Sequence, residues 1–199
     1  MKSSVSILVF EDVEVMDFAG PFEVFSVTNE LNDDSLFDLE IIAQGKAPVR
    51  AKGGLSINPD HGIEEITSTD ILIIPGGSGT RQVIKDETLV EWVGKVGTKA
   101  KQILSVCTGS HILAKAGLLD HLKATTHHQT FERLGALAPR TEVLRDARFV
   151  DNGRVITSAG ISAGIDASLH VIGKLIGNDI REATARYMEY SDPPSTNQV

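Results

Sequence analysis

Short apolar runs alternate with longer segments of helical periodicity along this chain, and no other feature constrains its fold as much. Four of the runs have the length of strands: SVSILVF (4–10), FDLEIIA (37–43), DILIIPGG (70–77) and QILSVC (102–107). Helical patterns follow three of them, at about 21–31, 86–100 and 109–116. DILIIPGG is nearly all apolar, as expected for a strand buried on both faces of a parallel sheet. We therefore predict an α/β fold, a three-layer sandwich with a mostly parallel sheet, whose ligands bind beyond the carboxyl ends of the strands.

The second half of the chain continues this alternation with shorter elements. KATTHH (123–128) can form a strand and QTFERLG a short helix, while RFVDNGRVITSAG contains the Asn152-Gly153 pair typical of a tight hairpin. Helices over about 162–176 and 180–190 end the pattern, and the polar tail SDPPSTNQV is expected on the surface. With 199 residues, 41% of them hydrophobic, the chain is predicted to form one domain, 1–199, that can hold a pocket.

The only cysteine, Cys107, stands where the fourth apolar run ends and a helical segment begins. The pattern Ser105-x-Cys107-x-Gly109 is related to the G-x-S-x-G nucleophile elbow, in which a sharp strand-to-helix turn exposes the reactive side chain. The amino end of the following helix favours a thiolate. The alternative is a small buried structural cysteine. Motif and position together favour a nucleophile.

A carboxyl group follows the first strand-length run and is a candidate proton partner for the thiol. Asp17 is expected in the loop before a helix that starts near Gly20 and Pro21, at the same sheet edge as Cys107. Desolvation and like charge would raise the pKa of Asp17 and let it hold and deliver a proton. The alternative role of Asp17 is to cap a local turn or helix start. Glu23 is a second candidate, although an ordinary helix face suits it better.

The third run ends in two glycines, in the segment IIPGGSGT (73–80). Backbone N–H groups such as that of Gly77, together with the amide of Thr108, could stabilise negative charge on a substrate. A Gly-Gly pair is also a common tight turn. Neither a Gly-Lys-Ser/Thr phosphate loop nor a G-x-G-x-x-G turn is present in the sequence, so nucleotide binding is not predicted.

The six histidines do not form a metal-binding pattern. His127 and His128 are adjacent in a predicted strand, which would point their side chains to opposite faces. No metal is therefore predicted. His111 follows Cys107 by one helical turn and could tune the thiolate, although a partly exposed helix position is the simpler interpretation.

Charge and cysteine content restrict the functional class. A formal net charge of −8 disfavours nucleic-acid binding, which depends on Lys and Arg. The apolar run near the amino terminus ends at Glu11 and Asp12, too early for a signal peptide or a membrane span. One cysteine cannot form an internal disulfide, in keeping with a reducing compartment. We therefore expect a cytoplasmic protein with a small-molecule substrate and neither nucleic-acid nor membrane partners.

Four segments together resemble the ThiJ/PfpI superfamily of class I glutamine amidotransferase-like proteins: MDFAGPFEVF, ILIIPGG, SVCTGSHILAKAGLLDHLKATTH and ITSAGISAGIDASLHVIGKLIG. The likeness covers nearly the whole chain and is greatest to isocyanide hydratases and to the amidotransferase-like domain of some AraC-type regulators. It implies a flavodoxin-like fold, catalysis without a cofactor, and a homodimer. It also implies that Cys107 is the nucleophile and Asp17 its acid/base partner. Thr108, directly after the cysteine, is the third catalytic residue and is expected to hold Asp17 or the sulfur by a hydrogen bond.

Some positions depart from the patterns of related groups. Protease-like members have histidine directly after the cysteine, where this chain has Thr108, so peptidase activity is disfavoured. His111 replaces an aliphatic residue of the hydratases, and His128 stands where an aromatic residue is usual. Both are predicted to line or border the pocket. The regulators carry a helix-turn-helix module after this domain, whereas this sequence stops at Val199, so DNA-binding regulation is not expected.

The function predicted from these residues is hydration of an isocyanide to an N-substituted formamide through a cysteine thioimidate. Two alternatives remain open at this point. One is a glyoxalase- or deglycase-type enzyme that acts on small reactive carbonyls. The other is a redox or ligand sensor that uses the single thiol without turnover.

Overall fold

A seven-stranded sheet forms the centre of the computed structural model, which describes residues 2–190. The strands are β1 Ser3–Leu8, β2 Phe37–Ala43, β3 Val49–Arg50, β4 Ser56–Ile57, β5 His61–Gly62, β6 Ile71–Ile74, β7 Gln102–Val106, β8 Lys123–Ala124, β9 Glu142–Val143, β10 Phe149–Asp151 and β11 Val155–Ser158. The helices are α1 Val15–Glu30, α2 Thr80–Val83, α3 Glu87–Lys99, α4 Gly109–Lys115, α5 Phe131–Leu137, α6 Ala163–Leu175 and α7 Asn178–Tyr187. Short 3₁₀ turns span Ile63–Glu65 and His128–Thr130.

The strand order of the main sheet is β10-β11-β7-β6-β1-β2-β5. All neighbours in it are parallel except β10 and β11, which form the predicted antiparallel hairpin. The order β2-β1-β6-β7-β11 is the flavodoxin-like arrangement of a doubly wound sheet. Helices α1, α6 and α7 pack together in one layer, and α4 packs with α2, α3 and α5 in the other. The predicted three-layer α/β fold is confirmed.

The core lies on both faces of the central strands. Every side chain of β6, Ile71–Ile74, is at most 1% exposed. Burial of each such side chain contributes roughly 1.5–3 kcal/mol, so a uniformly apolar run is most stable in the middle of the sheet. Within residues 2–190, no helix combines the length and the apolarity needed to cross a membrane.

Two predicted boundaries were wrong. Helix α1 begins at Val15 rather than Pro21, so Asp17 lies in its first turn and not in a loop. Pro21 lacks the N–H that would bond to the carbonyl of Asp17, yet the helix continues through it. The segment 123–128 is a strand only over Lys123–Ala124, because its next residues turn into a 3₁₀ helix. The tail 191–199 lies outside the described residues.

Candidate active site

Cys107 occupies the sharp turn between β7 and α4. Its backbone has φ of 57°, a left-handed conformation that few residues other than glycine adopt. Hydrogen bonds hold it there: its N–H donates to the carbonyls of Ser158 (3.2 Å) and Ala159 (3.1 Å), and its carbonyl accepts from Ser110 Oγ (3.1 Å) and Thr126 Oγ1 (3.0 Å). The chain therefore forms the predicted nucleophile elbow.

Two glycines allow the elbow to pack against the end of β6. A Cβ at Gly109 would collide with the carbonyl oxygen of Ile74. A Cβ at Gly76 would lie 2.5 Å from the Thr108 nitrogen and 2.8 Å from Asp17 Oδ2, closer than real Cβ contacts. The absence of side chains at these two positions lets three separate segments meet around the sulfur.

Asp17 is fully buried in the first turn of α1 and faces Cys107. Its Oδ2 accepts a 3.0 Å hydrogen bond from the backbone N–H of Gly76, while Oδ1 has no hydrogen-bond partner. The thiol of Cys107 lies within interaction range of the carboxyl group, so each group affects the protonation of the other. The amide of Ile161 also faces this carboxyl and slightly favours the carboxylate.

Burial dominates the protonation of this pair. It raises the pKa of Asp17 from 3.8 to about 7, against the opposing effect of the Gly76 N–H. Burial and then the negative charge of Asp17 raise the pKa of Cys107 from 9.0 to about 12, while the Thr108 amide favours the thiolate less strongly. The raised pKa expected for Asp17 is therefore present, but the expected resting thiolate was wrong. The helix dipole does not outweigh desolvation and a neighbouring carboxylate.

Thr108 connects the elbow to the Gly-Gly turn. Its Oγ1 accepts from the Gly77 N–H (3.0 Å) and lies 3.1 Å from the Gly77 carbonyl and 3.3 Å from Thr80 Oγ1. The Gly76 N–H is taken by Asp17. The two glycine N–H groups therefore position side chains within the protein and are not free to bind negative charge on a substrate, contrary to the sequence-based expectation.

The sulfur opens into a pocket of about 330 Å³. Cys107 is 6% exposed, so it is buried but not sealed. The charged and titratable side chains that line the pocket come from five segments: Glu14, Lys52, Arg81, His111, His127 and Arg133. Gly77, Thr108 and Ile161 contribute further walls. Such a pocket can admit a small molecule to the thiol and offer it several polar groups.

The histidines differ from the sequence-based expectations. His111 is 2% exposed, not partly exposed, and it lines the pocket. Burial, followed by the charge of Arg133, lowers the pKa of His111 to about 4, so the ring is neutral. His127 also lines the pocket, whereas His128 is exposed and is not part of its wall. The rings of His127 and His128 lie 4.3 Å apart, because a 3₁₀ turn replaces the predicted strand. No cluster of three His, Cys, Asp or Glu side chains suited to a metal occurs among residues 2–190.

Sequence reasoning missed Lys52, Arg81, His127 and Arg133 as pocket residues. Arg81 follows the Gly-Gly turn closely, and this proximity was the one local signal available. Arg133 lies on α5 and Lys52 in the turn between β3 and β4, so only the fold brings them near Cys107.

Comparison with known proteins agrees with the fold. The model of the DJ-1/PfpI family matches residues 3–174. An isonitrile hydratase of Pseudomonas putida is 31% identical over 98% of this chain and 81% of its own length. An HTH-type transcriptional regulator of Pseudomonas aeruginosa is 30% identical over 89% of this chain, which spans 52% of the regulator.

A solved structure gives the same result. The crystal structure of a ThiJ/PfpI family protein from Pseudomonas syringae has a TM-score of 0.87 to this chain at 30% identity, covering 99% of this chain and 78% of that one. The predicted resemblance is confirmed by the extent of these matches and by the left-handed Cys107 at the end of β7. The chain belongs to the DJ-1/PfpI family.

Proposed function

We propose that this protein is a cofactor-independent isocyanide hydratase, which adds water to an isocyanide and releases an N-substituted formamide. The observation that carries the proposal is the interaction of the buried Asp17 carboxyl group with Cys107, an elbow cysteine that lines a small pocket. The 31% identity to the isonitrile hydratase over nearly the whole chain supports the choice of reaction.

In the first step, the sulfur of Cys107 bonds to the terminal carbon of the isocyanide. Because the pKa of the thiol is about 12, the proton must leave as the bond forms, and the Asp17 carboxylate is the group placed to accept it. Asp17 then passes the same proton to the isocyanide carbon. The product is a neutral thioimidate, Cys–S–CH=N–R, and Asp17 is a carboxylate again.

In the second step, water adds across the C=N bond. Its oxygen bonds to the carbon and one of its protons goes to nitrogen, which gives Cys–S–CH(OH)–NH–R. The C–S bond then breaks, the hydroxyl proton returns to sulfur through Asp17, and H–CO–NH–R leaves. A pKa of about 7 suits a group that accepts and donates a proton in each turnover. The steps transfer protons and make and break bonds to carbon, with no net oxidation or reduction. The proposed reaction therefore needs no redox cofactor.

Site roles follow from this reaction. Cys107 is the nucleophile, Asp17 the acid/base, and Thr108 the residue that fixes the elbow against the Gly-Gly turn. Gly77 and His111 contribute to the substrate pocket, where His127 replaces His128 as the neighbouring histidine. We also propose a homodimer located in the cytoplasm, with a small-molecule substrate; analytical ultracentrifugation tests the dimer.

The proposal is tested by formamide production from phenyl isocyanide, followed by liquid chromatography. Wild type and Cys107→Ala are compared, with Ser56→Ala as a control on β4, outside the pocket lining. We expect Cys107→Ala to lose turnover and the control to retain it. A mass increase equal to one substrate molecule on quenched wild type identifies the thioimidate. Equal rates for wild type and Cys107→Ala would exclude the proposed nucleophile.

Methylglyoxal in the same assay tests the carbonyl-directed alternative. Turnover of methylglyoxal at a higher kcat/KM than phenyl isocyanide would favour that activity over hydration. The sensor alternative is disfavoured by burial of the thiol, because a pKa of about 12 keeps Cys107 protonated and slow to oxidise.

A further inference from the structure

Cations without partners line the pocket around Cys107. Of its four charged side chains other than histidine, three are positive, although the chain as a whole has a net charge of −8. Lys52 is neutralised by Glu14, with Nζ 3.0 Å from Oε2. Arg81 and Arg133 are solvent-exposed, and their side chains make no ion pair or hydrogen bond within residues 2–190. The pocket therefore carries two positive charges that the protein does not neutralise.

A buried polar atom in the same pocket also lacks a partner. His111 is 2% exposed, and its Nε2 makes no hydrogen bond. The ring interacts with the backbone of Thr130, and burial keeps it neutral. A buried nitrogen without a hydrogen bond costs about 1–3 kcal/mol of stability, but Nε2 has essentially no accessible surface, so it does not contact a bound molecule.

The two unpaired arginines indicate the chemistry of a molecule that would fit the pocket. A guanidinium group offers a planar set of N–H donors that matches a carboxylate, and a pocket with two unpaired guanidinium groups attracts an anion.

We propose that the substrate is an isocyanide with a carboxylate group at the end remote from its reactive carbon. Arg81 and Arg133 bind the carboxylate. This inference rests on the proposed hydration reaction, whose substrate class it specifies.

Binding of product analogues tests the carboxylate subsite without any turnover. The probes are 4-formamidobenzoate and the uncharged N-(4-methylphenyl)formamide, titrated by calorimetry into Cys107→Ala. We expect the carboxylate to bind at least about tenfold more tightly, and Arg81→Gln and Arg133→Gln each to remove most of that preference. Arg145→Gln is the matched control, because Arg145 pairs with Glu132 outside the pocket lining and should leave the preference unchanged. Equal binding of the two probes would overturn the proposal.

Kinetics separate this inference from the function on which it rests. With wild type, kcat/KM for 4-isocyanobenzoate should exceed that for 4-methylphenyl isocyanide about tenfold, and Arg133→Gln should bring the ratio close to one by raising KM. Tight binding of 4-formamidobenzoate without turnover of either isocyanide would refute the proposed hydration reaction but support the carboxylate subsite. Equal turnover of both isocyanides would refute the subsite and leave the reaction.

Discussion

Replacement of Asp17 by asparagine should stabilise the fold, and increasingly so as the pH rises. Asp17 is fully buried, and its pKa in the native state is about 7 against an ordinary value of 3.8. Between these values the unfolded chain has already released the proton that the native chain keeps. The stability of wild type therefore falls as pH rises from about 4 to 7, and above 7 the loss is constant.

The difference between pKa values of 3.8 and about 7 means that ionisation of Asp17 lowers the free energy of unfolding of wild type by about 4 kcal/mol. Asparagine keeps the shape of the side chain and can still accept from the Gly76 N–H, but it does not ionise. Relative to wild type, the Asp17→Asn protein should thus gain almost nothing from this effect at pH 3 and about 4 kcal/mol at pH 8. If the buried amide has a cost that does not depend on pH, that cost shifts the whole curve of unfolding free energy against pH and leaves its slope unchanged.

Urea unfolding followed by circular dichroism between pH 4 and pH 8 measures this gain. Asp146→Asn is the control, because it removes the same charge from an exposed position. Parallel stability curves for wild type and Asp17→Asn across this range would refute the reasoning, since they would mean that Asp17 ionises as easily in the native protein as in the unfolded chain.

Three further predictions concern the same pocket. The kcat/KM for isocyanide hydration should rise about tenfold between pH 6 and pH 8 as Asp17, with a pKa of about 7, becomes the carboxylate that accepts the thiol proton; a flat pH–rate profile would contradict this role. His111→Leu should change the unfolding free energy in urea by less than about 1 kcal/mol, because it removes an unsatisfied buried nitrogen together with the ring's interaction with the Thr130 backbone. It should also lower kcat/KM, because the ring lines the pocket. A loss of more than about 2 kcal/mol would contradict the first expectation. Gly76→Ala should lower the free energy of unfolding by about 1–3 kcal/mol and remove most activity, because its Cβ would collide with Thr108 and Asp17. Gly45→Ala is the control, because Gly45 has open space around it and the substitution should change neither stability nor activity.

Local sequence patterns were sufficient to predict the centre of the fold. The run Ile71–Ile74 is apolar at every position, which favours a strand buried on both faces. This pattern predicted its place in the middle of a parallel sheet, where it is found. The elbow at Cys107 was predictable because a strand pattern ends there and Gly109 follows. Asp17 could be predicted to meet the thiol because the carboxyl ends of parallel strands lie at one edge of a sheet.

Properties that depend on distant segments were not predictable. The thiol pKa is set by burial and by the charge of Asp17, which are both tertiary effects that outweigh the local helix end. His111 is buried because α5 packs against α4, and no pattern around residue 111 indicates that contact. The convergence of Arg81 and Arg133 likewise depends on how α2 and α5 are placed around the elbow.

The sheet ends at both sides in very short strands. β5 contributes two residues and β10 three, so each outer strand offers few backbone groups to another chain. Continuous edge-to-edge pairing, the usual start of aggregation in β proteins, needs longer exposed strands. Self-association of this protein through the main sheet is therefore unfavourable, and two copies would have to meet through helices and loops.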